Sequence, residues 1–330
     1  MAGILGIGRL AGAAALLALA IDATASTAKK CDLKAGINAQ QARAGLCKFD
    51  PATKRFAGTP AQQAACLTRE VKRGASIGGE TITPFLKELA GTPAPDIRAV
   101  QTLLDAQGTG AGILGGPLGR RIQANYFIIH DTSAPNCSKK KRSAACPTQG
   151  EFPPNRDEAS WISNKDFLGH PKRAPDRIAH AFTNRVGDSI TEVDFADPIA
   201  TTKFETCVDV PAKAGVFVGV ENIQPRIGRP RIPAPGKEPN DLDAPTPGFT
   251  PRQYERLALL YVVASARSGV WLIPAFHAVI DQAYADGHDD PQHFDMPAFS
   301  TAVQKHLAGL PPGAPAATAA TAGRAPAQPR

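Results

Sequence analysis

Two patterns are missing from the 330 residues. There is no HExxH pair, which removes the helix-borne site of the common metalloproteases, and no segment recurs at a fixed period, which removes solenoids and propellers. The apolar stretch Leu10–Ile21 falls short of the roughly 20 residues a membrane helix needs. Cysteine spacing resembles no zinc ribbon. Lysines and arginines form no face interleaved with aromatics, so nucleic acid is not an expected partner. The dense run Lys139–Arg142 sits between two cysteines and reads as a solvated loop. With 30 Pro and 30 Gly but no collagen period, the chain is loop-rich rather than fibrous.

What is present fits a globular, exported protein. An apolar fraction of 43% and a charged fraction of 20% can build one large core or two modest ones. The net charge of +7 favours acidic partners, among them an anionic cell-wall polymer. Arg9, the apolar Leu10–Ile21 and the small residues Ala23 and Ala25 predict a signal peptide over 1–25, cleaved near Ala25. Export to a periplasm or the medium, with no integral membrane span, follows as an expectation. Six cysteines (31, 47, 66, 137, 146 and 207) lie beyond that point, an even count that reads as disulfides in an oxidising compartment. Six allow fifteen pairings; Cys137 with Cys146 is the easiest to close.

The mature chain divides by pattern. Residues 26–117 read as a helical N-terminal region. Thr59, Pro60 and Gln62 form a capping-box start, and Ile97, Val100 and Leu104 share a helical face within 96–107. From Arg120 the pattern changes to short apolar runs between polar loops. Strands are expected at Tyr126–His130, Ile178–Thr183, Ser189–Val193 and Gly215–Glu221, the middle two as a hairpin about Arg185–Asp188. Thr250, Pro251 and Gln253 start a long helix that Gly269 stops, and a last helix covers Pro297–Leu307. The Pro/Ala-rich 311–330 reads as a disordered tail. The expected fold is α/β, a central mixed sheet flanked by helices over 118–310.

His130, Glu221, His277 and Asp290 each stand at the end of an apolar element or just after one. Two histidines and one carboxylate, with a fourth position open, are the ligand set of a catalytic zinc, and a nearby glutamate can move protons for amide or ester hydrolysis. A histidine at a strand end also reads as a hydrogen-bonded structural residue, and that alternative stays open. His180 reads as structural, His170 and His306 as surface residues. Tyr126 and Trp161 could stack on sugars, with core packing or a loop anchor as the plainer reading of each.

Several blocks, in order over roughly 120–308, resemble the zinc-dependent N-acetylmuramoyl-L-alanine amidases, the superfamily of phage lysozyme-type amidases and peptidoglycan recognition proteins. Phe127–Ser133 is similar to the first metal motif, Ala179–Ile190 to the strand–turn–strand, and Val218–Glu221 to the strand ending in the catalytic glutamate. Phe249–Tyr254 resembles the start of the long helix, Ala275–Ala278 the second metal histidine, and His288–Asp295 the block with the ligand aspartate. The resemblance implies zinc on His130, His277 and Asp290, with Glu221 as general base and His288 as an oxyanion donor or a solvated loop residue. The gap from His277 to Asp290 is longer than the family pattern, leaving Asp289 and His293 as alternatives for the third ligand. It implies an enzyme cutting peptidoglycan between N-acetylmuramic acid and L-alanine, and a monomer is expected. Its alternatives are a muropeptide-binding protein of the same fold that does not cut, and a disulfide-stapled exported protein whose histidines are structural.

Overall fold

The computed structural model describes residues 31, 33, 47–72, 76–133, 179–207, 215–226, 244–284 and 289–311. The expected leader, the loop holding Cys137 and Cys146, Trp161, His170, His288 and the tail from 312 lie outside the described residues.

In chain order the elements begin with a hairpin, β1 (Phe49–Asp50) and β2 (Arg55–Phe56), followed by α1 (Pro60–Leu67). A second hairpin, β3 (Arg69–Lys72) and β4 (Ser76–Glu80), precedes α2 (Pro84–Leu89) and α3 (Ile97–Ala106). Then come β5 (Tyr126–Asp131), β6 (Ala181–Thr183), β7 (Ser189–Thr191), α4 (Lys203–Cys207) and β8 (Phe217–Asn222). The last are α5 (Pro251–Ser268), β9 (Ile273–Phe276), α6 (His277–Ile280) and α7 (Met296–Ala308). The two hairpins correct the all-helical expectation for 26–117. Their strands are two to five residues long, too short to show a period of two.

The helix signals act where they were expected. Thr59 Oγ1 accepts from Gln62 N while Gln62 Oε1 accepts from Thr59 N, and Thr250 with Gln253 repeats the box at α5. Gly269 ends α5 at φ 84°, a left-handed conformation that a Cβ disfavours. Sequence periodicity predicts one apolar face for α5, yet Leu257–Ala266 are buried all round. The helix is sandwiched: β5 lies on one side, where Phe127 meets Tyr261 edge-on at 5.3 Å, while α3 and α7 pack on others.

Five strands form a mixed sheet in the order β7-β6-β8-β5-β9. β5 runs parallel to β8 and β9, β6 runs parallel to β8, and β7 is antiparallel to β6. Side chains alternate across a strand, so Tyr126, Ile128 and His130 share one face of β5 while Phe127 and Ile129 take the α5 face. The first face is covered by the N-terminal region. Phe56 packs edge-on to Tyr126 at 5.2 Å, Tyr126 stacks on Phe217 at 5.1 Å, and Phe49 packs edge-on to Phe204 at 5.1 Å. Residues from both stretches belong to one hydrophobic core.

Four of the cysteines pair as Cys31–Cys207 and Cys47–Cys66. The first bridge spans 176 residues and ties the start of the described chain to α4. Such bonds persist in an oxidising or extracellular setting. Among the described residues no helix is long and apolar enough to cross a membrane.

Tyr126 joins the two stretches of chain through its hydroxyl, which accepts from Phe56 N at 2.8 Å and donates to Gln63 Oε1 at 2.7 Å. Tyr126→Phe leaves both partners buried and unsatisfied, so unfolding stability should fall by about 2 kcal/mol. A lowered urea midpoint at unchanged m-value checks this.

Candidate metal centre

Parallel strands that start level also end level, and side chains at their carboxyl ends converge. On β5 and β8, His130 is the direct partner of Glu221; on β5 and β9, Ile129 is the partner of Phe276, so His277 follows abreast of His130. Three strands separated by long stretches of chain thus deliver an imidazole, a carboxylate and a second imidazole to one sheet edge. All three side chains are buried.

Asp290 arrives on a loop tied down at three points. Its carbonyl accepts from Ala278 N at 2.9 Å, its Oδ2 accepts from Asp131 N at 3.1 Å, and the Asp131 carboxylate accepts from Gln292 N at 3.0 Å. Asp131 is in turn held by a buried ion pair with Arg226. Asp131 and Ala278, each one position beyond a histidine of the group, and Gln292, two beyond Asp290, therefore lock the loop to the strands.

The donor atoms converge. His277 Nδ1 lies 2.9 Å from Asp290 Oδ1, His130 Nδ1 lies 3.7 Å from Asp290 Oδ2, and the two imidazole centroids are 4.4 Å apart. Ligands of a tetrahedral ion with bonds near 2.05 Å are about 3.4 Å apart, and these separations bracket that value. His130, His277 and Asp290 form a group able to hold a metal ion, with ligand atoms within 4.8 Å of one another. Glu221 Oε1 stands 3.9 Å from His130 Nδ1 at the border of this group, and its Oε2 has no hydrogen-bond partner.

Electrostatics point the same way. Asp131, Glu221, Asp281 and Asp290 are all buried here, with Arg226 as the permanent cation among them. Burial, followed by Asp290 and Asp131, raises the Glu221 pKa well above the usual carboxylate range. Burial alone would lower His277, but Asp290 and Asp281 outweigh it and hold the imidazole pKa well above normal. Asp281 is kept low despite its burial, chiefly by His277 and by the α4 backbone amides. Carboxylates in such excess, gathered about two imidazoles, are a site that a divalent cation relieves.

Of the residues singled out from sequence, His130, His277 and Asp290 come together, with Glu221 beside them. Asp289 is buried but outside the group, and His293 is exposed. His288, expected as an oxyanion donor or a solvated loop residue, lies outside the described residues. His306 is not a surface residue: it is buried against α5, with Nε2 donating to the Glu255 carbonyl at 2.9 Å. Tyr126 belongs to the core.

Sequence reading missed Asp131, Arg226 and Asp281. Asp281 had a visible signal, since His277 and Asp281 stand four apart, the spacing that places two side chains on one helical face. Asp131 directly follows a candidate ligand. Arg226 carried no signal, because its partner is 95 residues away.

Fold and site together define the class: an α/β protein with a buried histidine–histidine–aspartate centre at the carboxyl edge of parallel strands. No protein-family model, curated protein or solved structure matches the chain.

His180 serves the sheet, not the centre. Its Nδ1 accepts from Gly219 N at 3.1 Å, and burial pushes its pKa down to about 4. The unfolded chain holds this proton more tightly, with a pKa near 6.5. The contribution of neutral His180 is thus intact above pH 6.5 and is lost as pH falls toward 4, by about 3 kcal/mol in all. His180→Gln should remove that part of the acid slope when unfolding free energies at pH 7 and 4.5 are compared with wild type.

Proposed function

We propose that the protein is an exported zinc-dependent amidase that hydrolyses the amide between N-acetylmuramic acid and the L-alanine of the peptidoglycan stem. One observation carries the reading. The residues for which the amidase resemblance implies ligand roles, His130, His277 and Asp290, converge within ligand distance although they come from stretches 147 and 13 residues apart. Chance order along a chain does not make three such side chains meet in a core.

The donor set fits zinc: two imidazole nitrogens and one carboxylate oxygen, leaving a fourth position for water or substrate. When bound, zinc would supply Lewis acidity to the scissile carbonyl and to a water. The chain does the rest. Glu221 would be favoured in its ionised form by a cation bound beside it, and with one oxygen free of hydrogen bonds the carboxylate would take the proton of the attacking water and return it to the leaving L-alanine amine. Burial of the surrounding carboxylates excludes bulk water and strengthens each charge interaction. The net charge of +7 suits an anionic wall polymer as substrate.

The test is digestion of purified peptidoglycan with and without chelator, followed by identification of new amino termini. Wild type should bind about one zinc per chain, release L-alanine termini, and lose activity on chelation. His130→Ala should lose the metal. Glu221→Gln should keep the metal and lose hydrolysis by about 100-fold or more. Retained cleavage in Glu221→Gln overturns the assignment of the base. Zinc and muropeptide binding without any cleavage by wild type would make the protein a wall-binding module instead.

A further inference from the structure

His277 is bracketed by two carboxylates. Its Nδ1 faces Asp290 within the ligand group, while its Nε2 lies 2.8 Å from Asp281 Oδ2. A ring nitrogen that binds a metal must be unprotonated, so with Nδ1 turned to the centre the proton belongs on Nε2. Asp281 offers that nitrogen only an acceptor. Its other bonds are to backbone donors: Oδ2 also accepts from Lys203 N and Oδ1 from Phe204 N, each at 2.9 Å. The carboxylate is fully buried and bound on both oxygens, so it is held in one orientation.

We propose that Asp281 is a positioning residue that fixes the tautomer and ring orientation of His277 for metal binding, and that the N-terminal region acts on the metal centre through it. The inference rests on the reading of the cluster as a metal site, and not on amide chemistry. A carboxylate on the distal nitrogen of a ligand histidine orients the ring and raises its basicity. Here the support continues outward. The two amides on Asp281 belong to the start of α4, a helix of five residues that cannot hold itself in place. Phe204 anchors it, buried against Phe49 at 5.1 Å and Phe56 at 5.6 Å, both from the β1–β2 hairpin. At its far end Cys207 is bridged to Cys31. The layer whose purpose was not legible in sequence thus builds the floor on which the second ligand stands.

A purely structural role for Asp281, as an anchor of α4 alone, makes a different prediction. Zinc affinity is measured by competition with a chromophoric chelator, and the Nε2–H proton of His277 by its downfield resonance in the zinc-loaded protein. Asp281→Ala should weaken zinc binding about 10- to 100-fold and abolish that resonance. In a His277→Ala background the same substitution should change affinity little. Affinity within about twofold of wild type, even with a lowered melting temperature of the metal-free protein, overturns the proposal. Should Asp281→Ala not fold, Asp281→Asn keeps the volume and one acceptor oxygen. It should still lose affinity severalfold, and an unchanged value is equally fatal. Wild type that binds no zinc sinks both this and the metal reading, whereas zinc binding without amidase activity leaves the Asp281 result standing.

Discussion

The buried carboxylates of Asp131, Glu221, Asp281 and Asp290 at the end of an apolar sheet are the constraint on which the rest of this structure depends. An uncompensated charge taken out of water costs several kcal/mol, so each acid must be held by donors or cations. Asp131 is held by Arg226 and the amides of Ser133 and Gln292; Asp281 by His277 and two amides of α4. Asp290 and Glu221 are the two left facing the imidazoles. The first pair of acids is compensated by protein and shapes the site. The second pair borders the group of side chains able to hold a metal ion.

That division also accounts for the architecture around the site. Each residue of the group is fastened separately: His130 by its strand, Asp290 by the backbone of Asp131, and His277 by the carboxylate four residues on. These fastenings do not all lie within one layer. The sheet, the loop 289–292 and α4 each contribute, so the geometry is a property of the assembled core and not of any one element. Second-layer partners of this kind orient ligands within a fraction of an ångström, which is what a metal centre requires.

The N-terminal layer illustrates how such a core is extended. Phe49, Phe56 and Tyr126 form an aromatic cluster with Phe204 and Phe217, covering the face of β5 on which His130 sits. Aromatic rings bury large areas and meet edge-on with a further gain of about 1 kcal/mol per pair. Two disulfides restrict the same layer, one within it and one to α4. It is part of the same hydrophobic core as the sheet, not an appendage. Its four strands were invisible to sequence periodicity because they are short and their apolar residues few.

The sequence alone determined the local features: capping boxes at Thr59 and Thr250, the Gly269 stop, the apolar strands ending in His130 and Glu221, and the two histidines worth watching. These depend on residues within four positions of one another, where backbone hydrogen bonds and side-chain alternation act directly. Tertiary structure decided the rest. It selected Asp290 over Asp289 and His293, paired Cys31 with Cys207 across 176 residues, buried His306, and recruited Arg226 and Asp281. Each of those choices turns on which distant side chain arrives within about 3 Å. Strand register and layer packing set that distance, and no short-range pattern encodes it.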